Sequence, residues 1–229
     1  MPQDISGYDV GALLYCPANA HHTVAQAVAA ERLPRPFSLA LCLEDTVRAD
    51  ALAAAEQAVE QTLHDLTDAA RQETFYRPLT FVRVRSPEQL ARLGRAYGKY
   101  RPLLTGFILP KFFIETCGAY CAVIRDLQAD GLDYFYMPVF EAPSMLPLHT
   151  RHAALAEVKA QLDALREHIL NIRVGGHDLC HVFGLRRDPG HTIYDLRPVA
   201  DVLTDLLTTF APDYLVAGPV WEYYDGPGW

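Results

Sequence analysis

The chain has 229 residues, 50% of them hydrophobic and 21% charged, an ordinary globular composition long enough for a sizeable core without disulfides. A formal net charge of −8 removes the basic face that non-specific nucleic-acid binding needs. No stretch nears the ~20 apolar residues that span a bilayer, and the start MPQDISGYDV lacks the basic and apolar regions of a signal peptide; a soluble, cytoplasmic protein with small-molecule partners, and neither nucleic acid nor membrane, is expected.

In chain order, short apolar runs rich in β-branched and aromatic residues alternate with Ala/Leu/Glu/Arg-rich stretches of helical spacing. The runs are 11–18, 37–45, 80–85, 106–111, 133–141, 169–178 and 213–222, and each reads as a strand. Helices are predicted at 22–32, 48–71, 87–98, 114–129, 151–167 and 196–210. The second keeps Ala, Val and Leu on one stripe with charges opposite. Ser86-Pro87-Glu88 supplies an N-cap followed by proline at the first helical position. Five cysteines, Cys16, Cys42, Cys117, Cys121 and Cys180, lie in apolar segments and read as reduced core thiols.

Strict alternation implies parallel strands with right-handed crossovers, as in a (β/α) barrel or an open doubly wound sheet. The turn after the first strand, LLYCPANAHH, lacks the glycines of a nucleotide-binding sheet. Charges stand instead at run ends: Glu44 and Asp45, Arg83 and Arg85, Lys111, Glu141, Asp178 and Glu222. In a (β/α)8 barrel those ends converge on the catalytic face. The expected fold is therefore a single α/β domain over 1–229, a TIM-type barrel. Such a barrel has eight strands in about 250 residues, so an eighth strand and C-terminal segment have no counterpart here. Either the chain is a fragment, or another subunit completes closure, or the barrel is open.

Glu141 and Asp178, ending consecutive strands, would repel unless one held a proton or a cation lay between them. A hard divalent ion such as Mg2+ takes one or two carboxylates and completes its shell with water and substrate oxygens. These two residues read as metal ligands, against the plainer reading of solvated strand-end acids or helix caps. Arg83 and Arg85 are two apart on a strand and so share a face; one that enters the barrel mouth could clamp a substrate carboxylate bidentately, against the plainer reading of a surface strand-end arginine. Lys111 could form a Schiff base with a keto substrate, although pairing with a neighbouring carboxylate is the favoured reading. HDLCH (177–181) raises zinc, but its spacing fits no established pattern. His21 and His22 fit an exposed helix entrance as well as a site. Neither a G-x-S-x-G elbow nor a Walker loop is present.

Taken together, LLYCPAN, LCLEDTV, VRVRSPE, GFILPKF, VFEAPSM and VGGHDL resemble, in order, segments of the citrate lyase β-subunit and malyl-CoA lyase superfamily, Mg2+-dependent C–C bond lyases on a TIM barrel. That resemblance implies Glu141 and Asp178 as Mg2+ ligands and Arg83 on a substrate carboxylate or enolate oxygen. Glu44 and Asp45 would organise metal-bound water and that arginine, with Lys111 as a supporting residue. It also implies retro-aldol or retro-Claisen cleavage of a small keto or hydroxy acid or its acyl-CoA thioester, by a homo-oligomer, trimeric or hexameric. Arg85 stands where relatives usually carry Asn, and the segments after Glu141 and Asp178 depart from the common pattern. They are more similar to a branch found in bacterial tellurium-resistance and stress gene clusters. Two alternatives stay open: a catalytically degenerate ligand-binding or assembly component of a stress system, and a Schiff-base aldolase using Lys111.

Overall fold

β2 (Ser38–Cys42) is buried at every position, as is β5 (Phe135–Phe140), which is what a parallel strand covered on both faces requires. The computed structural model describes residues 5–219 apart from 73, 187 and 189. Seven strands occur among the described residues, in the order β1 to β7, and each assigned pair is parallel. The remaining strands are β1 (Leu13–Pro17), β3 (Thr80–Arg83), β4 (Leu104–Leu109), β6 (Ile172–Val174) and β7 (Val216–Ala217). The helices between them are α1 (His21–Ala29), α2 (Leu52–Gln72), α3 (Pro87–Ala96), α4 (Cys117–Ala129), α5 (Leu148–Asp163), α6 (Gly176–Val182) and α7 (Arg197–Phe210). This is the α/β fold of TIM-barrel type that the alternation predicts, with no eighth strand among the described residues.

The chain divides into two compact units, one comprising Met1–Pro110 and Ala119–Tyr136, the other Lys111–Gly118 and Met137–Trp229. In the first, Leu39, Ala40, Phe81, Val82, Phe107 and Ile108 are all buried, and Val59 and Leu63 of α2 belong to the same core. Each of these side chains except Ala40 contributes roughly 1.5–3 kcal/mol by leaving water. Gly106 on β4 lets the backbone of Phe135 approach, because a Cβ there would overlap the Phe135 carbonyl. The Tyr134 hydroxyl donates to the Gly94 carbonyl (2.8 Å), and its ring meets Phe107 edge-on at 5.0 Å. Ser86 caps α3 by accepting the Gln89 N–H, with Pro87 next in the helix, as the sequence predicts.

The second unit packs on aromatic rings. Phe140 of β5 meets Phe210 of α7 at 5.0 Å and both Phe112 and Phe113 at about 6 Å. Buried Arg151 on α5 donates to the carbonyls of Met145 and Leu146 and pairs with Asp205 of α7 (2.8 Å), tying down the chain that follows Glu141.

Element boundaries shift at several places, among them 213–222, where the strand is only Val216–Ala217, and one shift bears on the site. The run 169–178 holds a strand of only three residues, and α6 begins at Gly176. Asp178 therefore stands in the first turn of a helix, not at a strand end. The reason is local: once β6 passes Val174, the Gly175 N–H bonds the Phe140 carbonyl (3.1 Å) and the chain coils at once, with the Leu179 N–H returning to Gly175. Cys117 and Cys121 are both buried, as core thiols should be.

Candidate functional site

Parallel register decides which strand-end residues meet. β2 pairs with β3 so that Cys42 lies beside Arg83, and the Leu43 N–H continues the ladder to the Arg83 carbonyl (3.0 Å). The next residue is Glu44. Its carboxylate therefore reaches the Arg83 guanidinium, Nη2 to Oε2 at 2.8 Å, while Asp45 Oδ2 approaches the same nitrogen at 3.3 Å. Arg83 and Glu44 have side chains only 12% and 8% exposed, whereas Asp45 is 52% exposed. Two adjacent acids at the end of an apolar strand are thus explained within the unit: they flank one nearly buried cation. The Tyr15 ring of β1 lies 6.0 Å from the same guanidinium, a cation–π contact that sequence reading did not anticipate.

Arg85 takes different partners from Arg83. β3 ends at Arg83, so strand alternation no longer governs two residues later. The Arg85 guanidinium turns instead to main-chain carbonyls, donating through Nε to Leu43 (2.6 Å) and through Nη2 to Glu44 (3.1 Å) and to Val47. Its own N–H donates to Gln89 Oε1 (2.7 Å), and Gln89 continues to Glu56 (2.6 Å), which Arg92 also binds. Burial pushes the Glu56 carboxyl up, but the hydrogen bonds from Arg92 and Gln89 outweigh it and leave Glu56 below the usual carboxylate range.

In the second unit the register pairs Phe140 with Val174, which sets Glu141 beside Gly175. Glu141 is 3% exposed, and its Oε1 accepts the main-chain N–H of Lys111 (3.1 Å). A Cβ on Gly175 would overlap the Glu141 side chain, so the glycine is what makes room for the carboxylate. Lys111 is exposed and holds a left-handed backbone (φ 49°), with Thr116 Oγ1 donating to its carbonyl at 2.8 Å. The Lys111 amide is thus one contact of this segment with Glu141. Exposure also denies the amine the desolvation on which a Schiff-base lysine draws. Asp178 is half-buried on α6.

Among the described residues, no three His, Cys, Asp or Glu side chains gather as a metal cluster. The donor chemistry that is present, buried Glu141 and half-buried Asp178, is hard oxygen and fits an ion that keeps most of its shell as water, as Mg2+ does. His177, Cys180 and His181 lie along α6 and form no such cluster either. The side chains of His21 and His22, and Glu222, lie outside the described residues. A cavity of about 390 Å3 in the first unit, lined by Arg77, Arg101, Asp133 and Phe135 among others, opens by the amino ends of β3 to β5, the end that in barrels serves stability and not chemistry.

Fold and strand-end chemistry together define the class. The chain belongs to the C–C bond lyases of the TIM-barrel fold, whose family model matches residues 4–228. Among solved structures it is similar to a citrate lyase β-subunit from M. tuberculosis, complexed with oxaloacetate and magnesium, at 19% identity and a TM-score of 0.58, covering 93% of this chain and 80% of that one. The protein CitE from Mycobacterium tuberculosis, in complex with magnesium, acetoacetate and coenzyme A, is similar at 20% identity and a TM-score of 0.59, over 91% of this chain and 64% of that one. RipC from Yersinia pestis shares 14% identity with a TM-score of 0.57, over 96% and 80%. Likeness at these identities is one of fold. No curated protein matches the chain in sequence. No helix among the described residues is long and apolar enough to cross a membrane.

Proposed function

We propose that the protein is a Mg2+-dependent C–C bond lyase acting on a small keto or hydroxy acid or its acyl-CoA thioester. The observation that carries this reading is Arg83, a nearly buried guanidinium at a strand end with Glu44 and Asp45 against one nitrogen, in a chain of the C–C bond lyase family. Arg83 binds a carboxylate or the oxygen on which charge builds, and the two acids and Tyr15 hold its plane. Such fixed donors act where water is excluded and cost no reorganisation during the reaction. In the cleavage, a substrate hydroxyl gives its proton to water and becomes a carbonyl. The electron pair of the breaking C–C bond moves into an enolate, and the Arg83 guanidinium lowers that anion's energy; the enolate carbon later takes a proton back from water.

Glu141 and Asp178 are the residues that would hold Mg2+. The Lys111 amide donates to the buried Glu141 carboxylate and helps fix its position. Mg2+, when bound there, supplies Lewis-acid stabilisation of the same developing charge. Lys111 serves through its backbone as a support of Glu141. The reading extends to a cytoplasmic homo-oligomer, favoured by five free cysteines and by the family resemblance.

The test is an assay of malyl-, citramalyl- and citryl-CoA, and of free 2-keto-3-deoxy acids, with and without Mg2+. Turnover of at least one, abolished by EDTA and restored by Mg2+, is expected. Turnover that survives EDTA, or a keto acid trapped on Lys111 by borohydride, overturns the metal route. Intact Mg2+ binding with no turnover of any substrate favours a ligand-binding role.

A further inference from the structure

We infer that Arg85 is the positioning residue of this centre: it fixes the main chain of the acid pair so that Glu44 and Asp45 hold Arg83 in one orientation. This deepens the proposed function and rests on the assignment of Arg83 made there.

Glu44 is gripped at two ends by two arginines of one short segment. Arg83 takes its carboxylate, and Arg85 takes its carbonyl. The same Arg85 guanidinium also takes the carbonyls of Leu43, just before the acids, and Val47, just after Thr46. Three carbonyls that would otherwise need water therefore converge on one cation, and the loop 43–47 closes around it. Local bonds finish the turn: Val47 N–H to the Glu44 carbonyl (3.1 Å) and Thr46 Oγ1 to the Cys42 carbonyl (3.3 Å). The Asp45 N–H donates to Glu44 Oε2 (3.2 Å), so the carboxylate that meets Arg83 is coupled to the turn itself.

The arrangement needs arginine. Its planar fork presents donors in fixed directions on a long stem, whereas a lysine offers one ammonium and an asparagine one short amide. Arg85 is itself anchored, since its N–H is held by Gln89, which is buried on α3 and hydrogen-bonded to Glu56. A misplacement near 1 Å of a group that stabilises a transition state can cost up to about a hundredfold in rate.

Arg85→Lys and Arg85→Gln test this, with thermal melting to show that each variant folds. Amide hydrogen exchange at Asp45 and Val47 is expected to quicken about tenfold or more, because hydrogen bonds from a charged group to the loop are lost. The 15N resonances of the Arg83 guanidinium are expected to shift, and kcat to fall with little change in KM. Gln should disturb more than Lys, which keeps the charge. Unchanged exchange at Asp45 and Val47 overturns the inference. So does a loosened loop with unmoved Arg83 resonances, since Arg85 would then be a backbone staple alone. If the wild-type protein turns over none of the substrates above, the functional reading fails, yet the exchange and the Arg83 resonances still decide the role of Arg85.

Discussion

The acids that follow β2 and β5 are held by opposite means. Glu44 is neutralised by a guanidinium 2.8 Å away, and its loop is pinned by a second arginine. Glu141, more deeply buried, accepts a main-chain amide and fits against a residue with no Cβ. An anion bound to arginine is committed to holding that arginine in place. A carboxylate that accepts a main-chain N–H and sits against a glycine is positioned by the backbone around it. The difference teaches that strand-end acids of one chain can be positioned by side chains of the neighbouring strand or by the backbone and the space a glycine leaves.

The largest expected effect lies at the first of these. Arg83→Met takes the cationic partner from a nearly buried carboxylate and should lower stability by about 3 kcal/mol, as breaking buried ion pairs does. Urea denaturation measures it. A loss under 1 kcal/mol would mean that Glu44 draws its stabilisation from elsewhere and would erase the contrast.

Gly175→Ala probes the second acid. The added methyl collides with the Glu141 side chain, whose Cδ would lie 2.9 Å away. A cost of about 1–3 kcal/mol is expected, as in overpacked interiors, along with weaker Mg2+ binding by calorimetry. Gly118→Ala in α4 is the control, because a Cβ there meets only Gln161 Oε1 at 3.6 Å. It should raise stability by roughly 0.5 kcal/mol, since alanine favours a helix over glycine. Equal effects at the two glycines would show that the crowding of Glu141 is not real.

The smallest effect concerns pH. Glu56, held below its usual value of 4.5 by Arg92 and Gln89 against the opposing push of burial, stabilises the folded chain. The sign follows from linkage: a depressed folded-state carboxyl adds stability that is full above the unfolded value and disappears as pH falls through the folded one. Between pH 6 and pH 3 the wild-type melting temperature should therefore drop further than that of Glu56→Gln. Because Glu56 anchors Gln89 beneath Arg85, the same acidification should quicken exchange in the loop 43–47. Parallel melting curves for the two proteins would exclude this linkage.

Much of the fold was legible because buried parallel strands and amphipathic helices leave strong local patterns. The runs at 37–45 and 133–141 contain β2 and β5, and the stripe at 48–71 became α2. The run at 169–178 misled because the pattern of apolar residues in ILNIRVGGHD does not mark where the strand stops. A glycine pair after three strand residues let the chain coil early, and Asp178 went with the helix. At the candidate site, Glu44 and Asp45 both lie against Arg83. The different partners of Arg83 and Arg85 could not be read, because they depend on where the chain at 43–47 lies. One signal was available: an arginine just past a strand end, four residues before the buried Gln89 that holds its amide.

By itself the sequence determined the alternation of strand and helix, the acids and cations at the strand ends, and through them the family. Those are properties of composition and spacing, which act over a few residues. Only the tertiary structure decided that Arg83 meets carboxylates while Arg85 meets carbonyls, and that Glu141 rests against Gly175. These outcomes depend on the register between strands distant in sequence, and a shift of one residue would exchange every partner.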